Sequence, residues 1–406
     1  MRHLRALGTV LSLALCLTAV SCGGGGGGGG TTTPPPPPPA TTNVVAVIAD
    51  SGPTGNSVNT LFTSVTICVP GSSSCQTIDH IQVDTGSYGL RVLAAVLTLS
   101  LPVETFTNGN SLAECTQFVD GYSWGPISLA DITIASETAK SVPVQVIGDS
   151  RFTTVPAACS STGGTQEDTV ATFGANGILG IGPFELDCGD CATTTHGLYY
   201  ACAGTVCTET MVPDAMQMPN PVTRFAADNN GSILVLPAVS ADGAPPVSGS
   251  LIFGIDTQSN NASGTQTVLT VDGNAHLTMT YNGQALTNSF IDSGSNGIYF
   301  TDASIATCTT AGLTTFYCPA STLALGLSIQ GQNGVMVNNL TFGVANTETM
   351  LNNPANATFF VFPDLAGTNP DATSFDYGLA FFYGKRVAVA VELQKTSVGT
   401  GPYIAF

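Results

Sequence analysis

The sequence predicts an all-β protein made of two related halves, and three observations carry that prediction. Only 9% of the 406 residues are charged, and Gly, Ser, Thr, Asn and Pro are plentiful beside Val, Ile and Phe. Such a composition suits short strands joined by turns, and long amphipathic helices are hard to find. One motif then occurs twice, as Ile81-Gln82-Val83-Asp84-Thr85-Gly86-Ser87 and, 208 residues later, as Ser289-Phe290-Ile291-Asp292-Ser293-Gly294-Ser295. Each copy sets an acid, a small hydroxyl residue and a glycine directly after an apolar, strand-like run. Finally, a glycine-bearing apolar segment follows each copy at a similar distance: Gly180 lies 96 residues after Asp84, and Gly378 lies 86 after Asp292. Glycine there allows a strand to thread closely beside each Asp turn, so Gly180 and Gly378 are expected under the two acids.

Taken in order, the chain opens with a targeting segment over residues 1–21. Arg2 and Arg5 precede an apolar run over residues 6–20, and Ala19-Val20-Ser21-Cys22 closes it. The run is short for a membrane span and fits an export signal. Its layout resembles a bacterial lipoprotein signal, which implies that Cys22 is lipidated; plain secretion is the alternative. Residues 22–43 form a tether, a glycine run over 23–30 joined to a stiff proline run over 34–39. Gly23 beside the lipidated cysteine, in place of an inner-membrane retention aspartate, points to the outer membrane. The expectation is therefore a cell-envelope protein held by lipid on Cys22, facing either the periplasm or the exterior.

Folding is expected to start near residues 43–47. Strands over 64–69 and 78–83 form a hairpin about Cys68 and Cys75 that delivers Asp84. By the two-residue period of a strand, His80, Gln82 and Asp84 share a face, which makes His80 a candidate neighbour of the acid. Further strands over 232–236 and 250–254 flank a Gly- and Pro-containing stretch at 238–248, where the boundary between a 44–240 half and a 241–406 half is drawn. Residues 44 to 60 contain no basic residue that could pair with the acids, so no pro-segment is expected there.

Ten cysteines remain after Cys16 and Cys22: Cys68, Cys75, Cys115, Cys159, Cys188, Cys191, Cys202, Cys207, Cys308 and Cys318. An even set in an oxidising compartment reads as disulfides, with Cys68–Cys75 and Cys308–Cys318 as local closures. Cys188, Cys191, Cys202 and Cys207 could instead form a four-thiolate zinc site, since the first pair has ligand spacing; disulfides are favoured, and no metal is assigned. Acids outnumber bases 27 to 9, which argues against nucleic acid as a partner.

The paired Asp turns carry the chemistry. Two carboxylates meeting at a pseudo-twofold axis cannot comfortably both ionise, so they share a proton. One can then activate water as a general base while the other, protonated, polarises a carbonyl. With these motifs, with Gly177-Ile178-Leu179-Gly180, with residues 248–256 as a central strand and with residues 377–392 as a closing hairpin, the chain resembles the pepsin-like, two-lobed aspartic proteases over residues 44–406. It is also similar to an uncharacterised group of bacterial lipoproteins. The resemblance implies a bilobal all-β fold with a cleft between the lobes and Asp84 and Asp292 as the dyad. It further implies loop crosslinks through Thr85 and Ser293, backbone access at Gly86 and Gly294, and outer-oxygen contacts from Ser87 and Ser295.

Three departures stand out, one of them Leu379 in place of the acidic residue that often follows the second segment's glycine. The flap's tyrosine position holds Phe118, with Tyr122 and Trp124 close by in the same stretch, and the tryptophan usual beyond the first acid is Arg91. The leading expectation is an anchored, monomeric aspartic endopeptidase acting on polypeptide through a tetrahedral diol without cofactor. The alternative is an inactive relative that binds peptide or glycan in the cell envelope. Tyr122 and Trp124 pointing into the cleft would favour catalysis or peptide binding; facing outward, they would favour a purely structural role for the Asp turns.

Overall fold

The computed structural model describes residues 43–161 and 164–406. The expected signal, Cys22 and most of the tether lie outside these residues. The protein is mostly β, as its composition predicts, with short helical segments such as Val170–Phe173 and Thr347–Asn352 between strands. Among the described residues no helix is long and apolar enough to cross a membrane.

The chain enters the fold at Asn43, whose buried side chain donates to the Phe253 carbonyl at 2.8 Å. Strand Val44–Ala49 then lies between Leu61–Cys68 and Val247–Phe253. Leu61–Cys68 alternates as a half-buried strand should, with Val65 and Ile67 inward and Ser64 exposed, and it pairs with Cys75–Asp84 through the facing residues Cys68 and Cys75. The last four residues of Cys75–Asp84 are all buried, so the expected hairpin carries Asp84 into the interior.

The two halves repeat one topology. Cys75–Asp84 runs parallel to Gly177–Ile181, which is antiparallel to Tyr88–Leu93, which is in turn parallel to Glu137–Ile147. Gln284–Ile291 runs parallel to Asp376–Tyr377, which is antiparallel to Ile298–Tyr299, which is parallel to Ala366–Gly367. The glycine segments noticed in the sequence are thus the same strand in two copies. A further run of antiparallel strands takes in the first and last strands of the described residues: Val44–Ala49, Val247–Phe253, Gly231–Val235, Arg386–Ala390 and Tyr403–Ala405. The stretch at 238–248 is the loop of a hairpin within that run.

One large apolar core connects these layers, containing Ile81, Val83, Leu179, Leu251, Phe253, Ile291 and Phe300 among others. Burial of side chains of this size stabilises by about 1.5–3 kcal/mol each, so the acid turns rest on a firm support. Phe300 and Phe375 stack at 5.1 Å behind the second turn.

All ten cysteines expected in disulfides are paired, as Cys68–Cys75, Cys115–Cys159, Cys188–Cys191, Cys202–Cys207 and Cys308–Cys318. This corrects the zinc alternative. Cys202 and Cys207 face each other across their own hairpin, Tyr199–Ala203 with Val206–Glu209, while Cys188 closes on Cys191. Among the described residues no free thiolate is left to ligate a metal.

Candidate active site

Each acid sits where its strand ends. The parallel register places Asp84 opposite Gly180, and the Asp292 amide donates to the Tyr377 carbonyl at 3.1 Å beside Gly378. A side chain on Gly180 would meet the Tyr88 backbone nitrogen at 2.5 Å, and one on Gly378 would collide with the carbonyls of Gly297 and Ser295. Both glycines are therefore required by close backbone approach, as the sequence suggested.

The turns then join. The Thr85 amide donates to Ser293 Oγ at 3.1 Å, and the Ser293 amide donates to Thr85 Oγ1 at 2.9 Å. Ser293 Oγ donates to the Val83 carbonyl at 2.9 Å. Two further residues, assigned no role from the sequence, reinforce this junction. Gln82 Nε2 donates to the Gly294 carbonyl at 2.9 Å, and the buried Asn59 donates to the Asn296 carbonyl at 2.9 Å while accepting from the Phe362 amide at 2.7 Å.

The two carboxyl groups are held in matching ways. Asp84 Oδ1 accepts from the Gly86 amide at 2.8 Å and its Oδ2 from Ser87 Oγ at 2.5 Å. Asp292 Oδ1 accepts from the Gly294 amide at 2.7 Å and its Oδ2 from Ser295 Oγ at 3.0 Å. Both acids are buried, at 2% and 8% exposure. The backbone of the first turn lies so near the second acid that a Cβ on Gly86 would stand 2.7 Å from the Asp292 carboxyl carbon. Burial, then the charges of Asp84 and Asp376 and a hydrogen bond with Asp84, hold the Asp292 carboxyl well above the ordinary carboxylate range; the Gly294 amide opposes this. The pair thus retains a proton under conditions where isolated carboxyls would have lost theirs.

Three more residues belong to this neighbourhood. Asp376 precedes Tyr377 and Gly378, is 7% exposed, and is bonded by the Ser295 hydroxyl. The phenol of Tyr88 is kept neutral by burial and by the charges of Asp84, Glu392 and Asp292. Arg91 is 2% exposed and makes a buried network. Its Nη2 bonds Glu114 Oε1 at 2.5 Å and Asp187 Oδ2 at 3.3 Å, its Nε bonds Thr116 at 2.9 Å, and its Nη1 donates to the Tyr88 carbonyl at 2.5 Å. The residue that looked like a lost tryptophan in fact ties the first acid turn to the strand Ser111–Gln117.

That strand forms a hairpin with Gly121–Ile134, turning at residues 118–120. Phe118 packs edge-on against Phe173 at 5.9 Å, and Val119 is 90% exposed at the tip. Tyr122 and Trp124 are buried with Cys115, Cys159 and Tyr200; Trp124 lies edge-on to Tyr200 at 5.2 Å and donates to the Phe152 carbonyl at 2.9 Å. Their contacts hold the hairpin together.

His80 requires a correction. Its φ of +48° breaks the two-residue alternation close to a register shift between Thr63 and Val65, and its ring turns to Asp50 at 3.4 Å and Asp79 at 3.2 Å instead of to Asp84. A pocket of about 430 Å³ is lined by Asp364, Tyr377, Tyr383 and Lys385 among others, but not by the Asp84 or Asp292 turns.

One family's sequence profile spans residues 39–406, and so takes in both acid turns and both glycine strands. The chain belongs to DUF3443. That family is described as a protein of unknown function. No match was found among curated proteins. The DUF3443 match covers every residue of the site built above, Arg91 and Asp376 included.

Proposed function

We propose that this chain is an aspartic-type endopeptidase with a pepsin-like, two-lobed fold, its lobes being residues 44–240 and 241–406 and its substrate an extended polypeptide in the cleft between them. The observation that carries the reading is the pair of buried carboxyls on turns crosslinked by Thr85 and Ser293. Such a pair holds one proton between two acids, which suits one carboxylate to deprotonate water and the other carboxyl to polarise the scissile carbonyl. Water adds to that carbonyl to give a tetrahedral diol, and the amide nitrogen takes a proton as the C–N bond breaks. Ser87, Ser295 and the amides of Gly86 and Gly294 fix the carboxyl planes in advance, so little reorganisation is left for the reaction. Lipid on Cys22 would hold the enzyme at the outer membrane.

A second reading has its own support. Tyr122 and Trp124 pack inside the hairpin with the Cys115–Cys159 disulfide, which leaves Phe118 and Val119 at the turn. A hairpin without a tyrosine at the tip suits a lipoprotein that grips peptide or glycan without cutting it.

The test is cleavage of an unfolded protein by the purified full chain from about pH 3 to about pH 8, where a shared-proton dyad would be active. The peptidase reading expects cleavage that a statine-type inhibitor blocks and that Asp84→Asn and Asp292→Asn each abolish. Cleavage that persists in both variants, or a folded wild-type protein that never cleaves, would refute it.

A further inference from the structure

The second acid turn contains a carboxyl group that the dyad does not account for. Asp376 lies in a short strand between Phe375 and Tyr377, which are 0% and 5% exposed. The strand's backbone is already satisfied: the Phe290 amide donates to the Phe375 carbonyl and the Asp292 amide to the Tyr377 carbonyl, each at 3.1 Å. Among the described residues the Asp376 Oδ1 is buried without a hydrogen-bond partner. An acid held in such a place is costly as a structural element.

Its position in the repeat is informative. In the first half Gln82 faces Ile178, two residues before Asp84 faces Gly180. In the second half Phe290 faces Asp376, two residues before Asp292. Asp376 is thus the counterpart of Ile178, a fully buried apolar residue. The duplication by itself does not explain the acid.

Ser295 connects Asp376 to the dyad. Its Oγ lies 3.0 Å from Asp292 Oδ2 and is also hydrogen-bonded to the Asp376 carboxyl. A hydroxyl has one proton to give, so it cannot serve two carboxylates at once. With Asp376 protonated both contacts are satisfied: Asp376 donates to Ser295 Oγ, and Ser295 donates to Asp292 Oδ2.

We propose that Asp376 is a positioning residue of the dyad, a third carboxyl that through Ser295 fixes the outer oxygen of Asp292 and shares in its titration. This rests on the reading of Asp84 and Asp292 as a proton-sharing pair. When Asp376 ionises, it competes for the Ser295 proton and sets a second negative charge beside Asp292. The charged and titratable groups facing the cluster are Asp84, Asp292 and, from the Tyr88–Leu93 strand, the neutral phenol of Tyr88. Burial pushes the Asp376 carboxyl up to about 7, with the Ser295 hydrogen bond acting in the opposite direction.

The experiment is a carbon-13 NMR titration of aspartate carboxyls in the full chain, its Asp376→Asn and Ser295→Ala variants, and Asp292→Asn for assignment. In Asp376→Asn the Asp292 midpoint should fall by roughly one to three pH units, the usual effect of removing a neighbouring like charge. In Ser295→Ala the Asp376 midpoint should move, because the hydroxyl that links it to Asp292 is gone. An unmoved Asp292 midpoint in folded Asp376→Asn overturns the proposal. Should that variant not fold, an unmoved Asp376 midpoint in Ser295→Ala overturns it. A wild-type protein that cleaves nothing but titrates as described sinks the peptidase reading alone.

Discussion

Replacing Arg91 by Met tests whether the buried network under the first acid turn is a structural joint. Arg91 and the two acids it pairs with are almost inaccessible, with side chains 2%, 0% and 6% exposed for Arg91, Glu114 and Asp187. A methionine fills much of the volume but leaves both carboxyls in the interior with no cation. Removing one partner of a buried pair destabilises by about 3–5 kcal/mol, because the remaining charge is uncompensated. The stranded acids can escape only by taking up protons, and Asp187 already tends that way: burial and the Glu114 charge raise it, against Arg91. Loss of Arg91 raises it further. An acid raised in the folded state gives its full stability below its unfolded value and loses stability as pH rises. The deficit of Arg91→Met should therefore be small near pH 4 and reach about 3–5 kcal/mol by about pH 8. Urea unfolding midpoints at several pH values, at unchanged slope, read this directly. A companion variant, Arg91→Met with Glu114→Gln and Asp187→Asn, should recover much of the loss because no buried charge remains. A deficit under about 1 kcal/mol, or one that does not change with pH, would refute the account, since it would mean that water or another cation already compensates the acids.

Two other consequences can be measured on the same protein. Asp376 is raised from the ordinary value of about 4 to about 7, and each unit is worth about 1.4 kcal/mol, so ionising it inside the fold costs roughly 4 kcal/mol. Its contribution is intact below about pH 4 and is lost as pH climbs toward 7, so Asp376→Asn should gain on wild type over that interval in urea unfolding; parallel curves would contradict this. The Cys115–Cys159 disulfide spans 44 residues, and closing a loop of that length restricts the unfolded chain by about 4 kcal/mol. Replacing both cysteines by serine should lower stability by about that amount, and a midpoint within error of wild type would show that the hairpin is fixed by its packing alone.

The acid turns were legible in the sequence because duplication makes a weak signal strong. Asp-Thr-Gly alone is a common turn, but two copies with following glycine strands imply a shared structural role, and Asp84, Asp292, Thr85, Ser293, Gly180 and Gly378 all meet as expected. What could not be read depends on contacts distant in sequence. Arg91 was visible only as a departure, since its partners Glu114 and Asp187 lie 23 and 96 residues away. His80 misled because strand alternation fails at a positive φ that the sequence does not announce. The cluster of four cysteines between 188 and 207 had ligand spacing, but pairing within two tight loops decides its chemistry. Asp376 did leave a signal: an acid inside a short apolar strand flanked by Phe375 and Tyr377 is out of place unless something nearby needs it.

A duplicated scaffold presents a chemical difficulty. It supplies two acids with the same neighbours, whereas sharing one proton usefully requires that the two differ. The turns themselves offer no difference, since each carboxyl receives one glycine amide and one serine hydroxyl. The neighbouring strands do differ. On the first side the polar residue is Gln82, a neutral amide on the acid's own strand that reaches across to the Gly294 carbonyl, with apolar Ile178 opposite. On the second side the pattern is exchanged: Phe290 lies on the acid's strand and Asp376 opposite. A neutral amide cannot titrate and a buried carboxyl can, so this exchange raises Asp292 through a like charge that has no counterpart at Ile178. The asymmetry lies in the supporting strand, one step removed from the turns, so the turns can remain interchangeable in geometry while their protons do not. Replacing Ile178 by Asp would, on this reasoning, bring the two sides closer to equivalence at the cost of a second buried acid.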